Sequence, residues 1–283
     1  MTPDFSIVIP TYNRPGEIRG CIDALTSLRG PSFEVIVVDD GSDEPVASVL
    51  DRSQADIDVR VIRQANKGPG AARNRGAREA RGRFLAFTDD DCRPVEGWLE
   101  AFADSLAEHP DRLAGGLVVN ALTGNPFAAA SQDIIAYGFL EDTTELTFFT
   151  SNNFACHREA FLALGGFDEA LRISSEDRDF CIRWRAAGKQ TVRADDALVH
   201  HRHELDLRGF WEQHTNYGRG ARQMSDKLKV TGDAPPLHVR GPDYYADLIS
   251  FPFRAGGKHR FARSMLIVLS HIAMARGFYW SAG

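Results

Sequence analysis

Cysteine is scarce in this chain of 283 residues: Cys21, Cys92, Cys156 and Cys181 lie far apart, with no C-x-x-C pair. That spacing excludes a disulfide framework and a zinc knuckle, and leaves buried thiols in a reducing compartment. Basic residues are in the minority, 33 Lys and Arg against 39 Asp and Glu, and the net charge of −6 excludes a general nucleic-acid binder. Long apolar runs are missing; residues 265–269, the longest near the C-terminal end, fall far short of a membrane span. Met1-Thr2-Pro3-Asp4 opens without a basic or apolar leader pattern, so no signal peptide and a cytoplasmic location are expected. Repeats and low-complexity segments are absent. What is present is ordinary globular composition, 43% hydrophobic and 25% charged, in a chain long enough to bury a full core.

The first 90 residues alternate between apolar runs and helical spacing. Residues 5–9, 33–38, 59–62 and 84–87 are short β-branched or aromatic runs, while 15–28, 46–50 and 70–80 carry helical spacing. Continuous apolar strands separated by helices predict an α/β fold whose parallel sheet is covered on both faces. Ligands of such sheets sit beyond the carboxyl ends of the strands. Three of those ends carry Pro10-Thr11-Tyr12-Asn13, Asp39-Asp40-Gly41-Ser42 and Asp89-Asp90-Asp91. Further on, the spacing predicts helices over 98–107, 126–137, 158–164 and 177–187. Extended pieces are expected at 113–119, 148–156, 192 and 198–199. From residue 206 the pattern is helical, interrupted at 232–236 and 256–257.

Three adjacent carboxylates at residues 89–91 repel one another and call for a cation. Oxygen ligands suit Mg²⁺ or Mn²⁺, completed by waters and substrate phosphates; the competing reading is a solvated turn that caps the next helix. Asp39 can accept hydrogen bonds from a base or ribose, or from its own turn. The glycine-rich run Asn66-Lys67-Gly68-Pro69-Gly70-Ala71-Ala72-Arg73-Asn74 enters a helix, a setting that favours phosphate. Lys67 and Arg73 either reach a diphosphate or solvate a basic helix face. With Arg73 at the third glycine position and no Gly-Lys-Ser/Thr, the run is neither a dinucleotide fingerprint nor a P-loop. Glu176-Asp177 reads as a helix cap, with Ser174 and Ser175 beside it, or as a general base facing the metal crevice. In His200-His201-Arg202-His203, a strand would put His201 and His203 on one face. One of them is a candidate nitrogen ligand for the same cation, the alternative being surface histidines.

Taken in order, these segments resemble the inverting family 2 glycosyltransferases of the GT-A fold. The resemblance rests on Ile7-Val8-Ile9-Pro10-Thr11-Tyr12-Asn13-Arg14, Val37-Val38-Asp39-Asp40-Gly41-Ser42, Asn66-Lys67-Gly68 with Ala72-Arg73-Asn74, and Phe87-Thr88-Asp89-Asp90-Asp91. Gly165-Gly166-Phe167-Asp168-Glu169 and Glu176-Asp177 complete it, the whole covering about 200 residues. It implies a mostly parallel central sheet flanked by helices (a Rossmann-like GT-A fold), with a helical C-terminal extension. Pro10, Thr11, Tyr12 and Arg14 would line the nucleotide pocket with Asp39 on the base, and Lys67 and Arg73 near the base or diphosphate. Asp89 and Asp91 match the D-x-D pair, Asp89 toward ribose and Asp91 on Mn²⁺ or Mg²⁺, with Asp89 and His201 as further metal ligands and Asp90 among the donor contacts. Asp177, with Glu176 beside it, matches the catalytic carboxylate. Asn152 and Asn153, with residues 165–168, would border the acceptor.

The implied donor is a nucleotide-diphosphate sugar, UDP favoured, and the acceptor a glycan, a lipid-linked glycan or a small molecule in cell-surface glycan or glycoconjugate synthesis. Residues 1–205 would form the catalytic domain, 1–115 holding the donor and 116–205 the acceptor, with 206–283 as the extension. Two rivals are weaker. A sugar-1-phosphate nucleotidyltransferase would carry a glycine-rich loop after the first strand, where Pro10-Thr11-Tyr12-Asn13-Arg14 stands. A non-catalytic nucleotide-sugar-binding protein would have lost acidic positions that are all present. Residues 251–283 hold five basic residues and no acidic one, leaving about −11 on the first 250. Two readings of that tail stand: an interfacial contact on the inner face of the cell membrane, or helices packed on the catalytic domain or on a second subunit of a homodimer.

Overall fold

A computed structural model describes residues 2–50, 57–107, 109, 111–141, 148–231 and 240–280. The expected interruption at 232–236 lies outside the described residues. In chain order the elements are β1 (Phe5–Thr11), α1 (Pro15–Leu25), β2 (Phe33–Asp39), a 3₁₀ turn (Val46–Ser48), β3 (Asp58–Arg63), α2 (Pro69–Glu79), β4 (Phe84–Thr88) and β5 (Cys92–Pro94). There follow α3 (Trp98–Leu106), β6 (Arg112–Asn120), α4 (Pro126–Glu141), β7 (Asn153–His157), α5 (Arg158–Ala163), α6 (Glu176–Ala186), β8 (Gln190–His201), α7 (Leu207–Thr231), α8 (Pro242–Ala255) and α9 (Arg260–Trp280). The chain divides into two compact units: residues 1–119, 146–172 and 176–202, and residues 120–145, 173–175 and 203–283.

The first unit is built on an eight-stranded sheet in the order β3-β2-β1-β4-β7-β6-β8-β5. Every residue of β1 and β4, and all of β2 after Phe33, is buried. Such strands are covered on both faces, and they pair in parallel as their apolar runs predict: β1 with β2 and β4, and β2 with β3. The register places Thr11 beside Asp39 and Asp39 beside Arg63, so these strand ends reach one edge together. Beyond β4 the pairing turns antiparallel, β4 with β7, β7 with β6, and β5 with β8. β8 is one strand of 12 residues where two short pieces were expected; Arg193, Asp195 and Asp196 stay exposed while Ala194, Ala197 and Val199 turn inward. β5 lacks an apolar run and was invisible to periodicity; its pairing with β8 makes it a strand.

One face packs Ile18, Cys21, Ile22 and Leu25 of α1 and Trp98, Leu99, Phe102 and Leu106 of α3 against Ile7, Ile9, Val35 and Val37. On the aromatic side Phe161 lies 5.1 Å from Phe87, 5.3 Å from Phe167 and 4.9 Å from Phe180, ring centre to ring centre. Truncating a buried ring of this kind costs about 3–5 kcal/mol. Phe180 belongs to α6, so this cluster anchors the helix that begins with Glu176 and Asp177.

The second unit gathers α4 with α7, α8 and α9. Tyr137, Leu248, Phe251 and Ile267 form its apolar centre. The Arg263 guanidinium grips Asp133 with two nitrogens, both side chains buried. α7 and α9 touch backbone to backbone: a Cβ on Gly218 would lie 2.0 Å from the Met274 carbonyl oxygen, and one on Gly277 2.0 Å from that of Thr215.

Candidate active site

The edge formed by the ends of β1, β2 and β4 carries most of the residues singled out above. Asp89, Asp90 and Asp91 follow β4 directly; Asp90 and Asp91 share Arg14, while Asp89 pairs with Arg73. Asp90 is buried, accepting hydrogen bonds from Thr11 Oγ1 at 2.8 Å and Arg14 Nη1 at 3.1 Å. Burial pushes its pKa up to about 7, against the Arg14 charge and the Thr11 hydrogen bond and with help from Asp91 and Asp89. Asp91 is also buried; Arg14 Nη1 donates to its Oδ2 at 2.8 Å, and His201 Nε2 lies 3.3 Å from its Oδ1. His201 reaches Asp91 because β5 and β8 pair with Cys92 opposite His201, while the Arg202 N–H donates to the Asp91 carbonyl at 2.8 Å. Burial opposes protonation of His201, but the hydrogen bond and charge of Asp91 outweigh it and raise the pKa. His200 faces outward, whereas His201 turns toward Asp91.

Asp89 adds its charge to that cluster but makes its ion pair elsewhere. Its Oδ1 pairs with Arg73, whose other terminal nitrogen donates to Glu176 Oε1 at 3.0 Å. Arg73 is buried, with its guanidinium 5.9 Å from the Phe167 ring centre. A buried guanidinium needs carboxylates around it, and Arg73 has two, Asp89 and Glu176. Glu176 is buried, whereas Asp177 is half-buried. Burial raises the pKa of both, with the mutual repulsion of the pair adding for Glu176. Asp177 Oδ2 accepts the Ser151 N–H at 3.2 Å and Oδ1 the Arg178 N–H at 2.8 Å. One acceptor direction on each oxygen thus remains beyond those donors. Ser174, considered as a cap, instead donates to the Asn216 carbonyl.

Asp39 is buried, accepting from the N–H groups of Ser42 at 2.9 Å and Val46 at 3.3 Å, so its hydrogen bonds close its own loop. Pro10 and Thr11 are buried within β1, Tyr12 is 46% exposed, and Arg14 and Lys67 are exposed. Asn152 is half-buried and accepts from Thr150 Oγ1. Asn153 corrects the expectation of an acceptor contact. It is buried, with Oδ1 accepting from Trp98 Nε1 at 2.8 Å and Nδ2 donating to the Leu117 and Ala197 carbonyls at 2.9 and 2.8 Å. Its amide has no hydrogen left to offer a ligand.

Two residues of this edge had no role assigned from sequence. Asp40 accepts the N–H groups of Lys67 and Gly68 and the Gln64 amide, pinning the glycine-rich loop to β2. Asn74 exchanges two 2.8 Å hydrogen bonds with the Phe167 backbone, tying α2 to the loop before α6. Asp40 had a signal, a second carboxylate at a strand end beside a loop rich in N–H groups. Asn74 had only its place in the motif.

Asp91, Cys92 and His201 each bring a ligand atom within 4.8 Å of the others. Two ligands about 2.1 Å from an octahedral cation at a right angle stand about 3 Å apart, and the 3.3 Å between Asp91 and His201 fits that spacing. Cys92 fits a hard cation poorly, since burial raises its thiol pKa well above the ordinary value.

A family model described as glycosyl transferase family 2 matches residues 6–165, and one described as glycosyl transferase family group 2 matches residues 86–282. A pre-mycofactocin glycosyltransferase of Mycobacterium tuberculosis is 35% identical over 254 residues, 87% of this chain and 50% of that protein. The O-antigen biosynthesis protein RfbC of Myxococcus xanthus is 30% identical over 224 residues, 71% of this chain and 17% of that one. The chain therefore spans half or less of the length of these curated relatives. Among solved structures, the mannosyltransferase PcManGT from Pyrobaculum calidifontis, in complex with GDP-Man and Mn²⁺, superposes with a TM-score of 0.69 at 20% identity, over 99% of this chain and 88% of that one. S. aureus TarS in complex with UDP-GlcNAc superposes with a TM-score of 0.55 at 18% identity, over 97% and 89%. At such identities the likeness speaks for the fold, which is the GT-A fold expected from the motifs.

Proposed function

Because the chain belongs to glycosyl transferase family 2, we propose that it moves a sugar from a nucleotide-diphosphate sugar to an acceptor hydroxyl, with a divalent cation and with inversion at the anomeric carbon. One observation carries the reading: the edge that holds Asp91 beside His201 also holds Asp89, which Arg73 joins to Glu176 next to Asp177. Asp91 and His201 would hold Mn²⁺ or Mg²⁺. Bound there, the cation would offset the negative charge of the leaving diphosphate. Pro10, Thr11, Tyr12, Arg14, Asp39 and Lys67 line the side where the nucleotide would lie, with Asp89 toward its ribose and Asp90 behind it fixing Thr11 and Arg14.

Asp177 is the base in this proposal. It takes the proton of the acceptor hydroxyl as that oxygen bonds to the anomeric carbon, and the bond from that carbon to the diphosphate breaks, releasing the nucleoside diphosphate. Its raised pKa makes it a better proton acceptor than an ordinary carboxylate. Glu176 acts through Arg73 as a positioning residue. Residues 1–115 would serve the donor; Asn152 and residues 165–168, within 116–205, would border a glycan, lipid-linked or small-molecule acceptor in cell-surface glycan or glycoconjugate synthesis.

Calorimetric titration of UDP, GDP and dTDP in the presence of Mn²⁺ or of EDTA tests the reading. The expected result is metal-dependent binding, strongest for UDP and lost in Asp91→Ala. Absence of binding for all three nucleotides under both conditions would overturn it.

A further inference from the structure

Helix α9 has two opposite faces. Ile267, Ser270, Ala273 and Gly277 are buried, and the contact of Gly277 with α7 fixes that side inward. Facing out are Phe261 (70% exposed), Met265, Val268, Ile272, Tyr279 and Trp280 (76% exposed). Steps of four, three, four and seven from Phe261 to Tyr279 keep the side chains in one line, running roughly 28 Å to Trp280. Single exposed apolar residues are ordinary, but a continuous row marks a surface that something covers.

Charge identifies what covers it. The whole stretch from residue 251 to the end has no carboxylate side chain. Lys258 and Arg260 are exposed at the start of the row and Arg276 beside it, with the Arg276 guanidinium 5.9 Å from the Trp211 ring centre, while Arg254 pairs with Asp247 at 3.2 Å. Two copies meeting along this row would gather six cations with no acidic residue of α9 to offset them. Lipid phosphates supply that charge, and Tyr279 and Trp280 at one end are the side chains that favour a membrane–water boundary. No helix among the described residues is long and apolar enough to cross a membrane, so contact would be parallel to the surface.

We infer that the outward face of α9 lies on an anionic lipid surface, its apolar row in the acyl boundary and Lys258, Arg260 and Arg276 at the head groups. This inference stands apart from the glycosyl-transfer reading. Flotation of the full chain with phosphatidylcholine vesicles, with and without phosphatidylglycerol, tests it at low and high salt. The expected result is co-flotation with the anionic vesicles alone, weakened by salt and reduced about tenfold or more in Val268→Glu/Ile272→Glu. Both positions are exposed, and an unchanged thermal melt checks the fold. Should that variant misfold, Lys258→Glu/Arg260→Glu is read in the same way. Failure to float with either vesicle, or undiminished flotation of the folded variants, overturns the inference. So does a sedimentation result in which the chain is a dimer that Val268→Glu/Ile272→Glu makes monomeric, since a second copy would then be the occupant.

Discussion

Two neighbouring carboxylates, Glu176 and Asp177, are alike in chemistry and different in surroundings. Glu176 is buried against Arg73; Asp177 is half-buried and held by two backbone N–H groups. The proposal separates their roles, and the separation is measurable. Asp177→Asn should lower kcat by about 10²- to 10⁴-fold while leaving donor affinity nearly unchanged. Turnover near that of the wild type would remove Asp177 as the base. The residue types of this site were legible because acids cluster at strand ends and helix starts. Their pairings were not: Asp89, Asp90 and Asp91 are consecutive, yet they bind Arg73, Thr11 with Arg14, and Arg14 with His201.

At the scale of elements, Asn153 joins four pieces of the first unit. Standing on β7, it accepts from Trp98 of α3 and donates to the carbonyls of Leu117 on β6 and Ala197 on β8. The backbones come so close there that a Cβ on Gly116 would lie 2.2 Å from the Ala197 oxygen. Asn153→Ala strands one buried indole N–H and two carbonyls, a loss of at least about 2 kcal/mol of stability in urea unfolding. Asn152→Ala, at a half-buried site, should leave the unfolding midpoint in place and alter the acceptor KM instead. An unfolding midpoint unchanged by Asn153→Ala would refute the tie. β1, β2 and β4 could be read directly, since a strand buried on both faces is an apolar run. β5 and β8 could not, because the partners that make them strands lie about 100 residues away.

On the scale of the whole molecule, protonation of one histidine weakens the second unit in acid. His214 of α7 is buried between Phe210 and Tyr217, with ring centres 4.3 and 5.5 Å away and Ser131 Oγ 3.2 Å from Nε2. Burial, with the charges of His271 and His203, pushes its pKa down from 6.5 to about 4. The unfolded chain then binds this proton first, so the stability present above pH 6.5 is lost as the pH falls toward 4, on the order of 3 kcal/mol. Asp90, whose pKa is raised, contributes with the opposite sign. The quantity to measure is therefore the difference in unfolding free energy between wild type and His214→Gln at each pH, which should change in the variant's favour between pH 6.5 and 4. A difference constant with pH would exclude His214. The sequence by itself determined the helices, the parallel strands β1 to β4 and the edge where carboxylates collect, because burial on two faces and helical spacing are local patterns that each segment carries alone. Only the tertiary structure decided that His201 meets Asp91, that Arg73 bridges Asp89 and Glu176, that Asn153 is a tie, and which face of α9 stays bare. Those outcomes depend on strand register and helix packing between segments up to about 110 residues apart, where no local period records the partner.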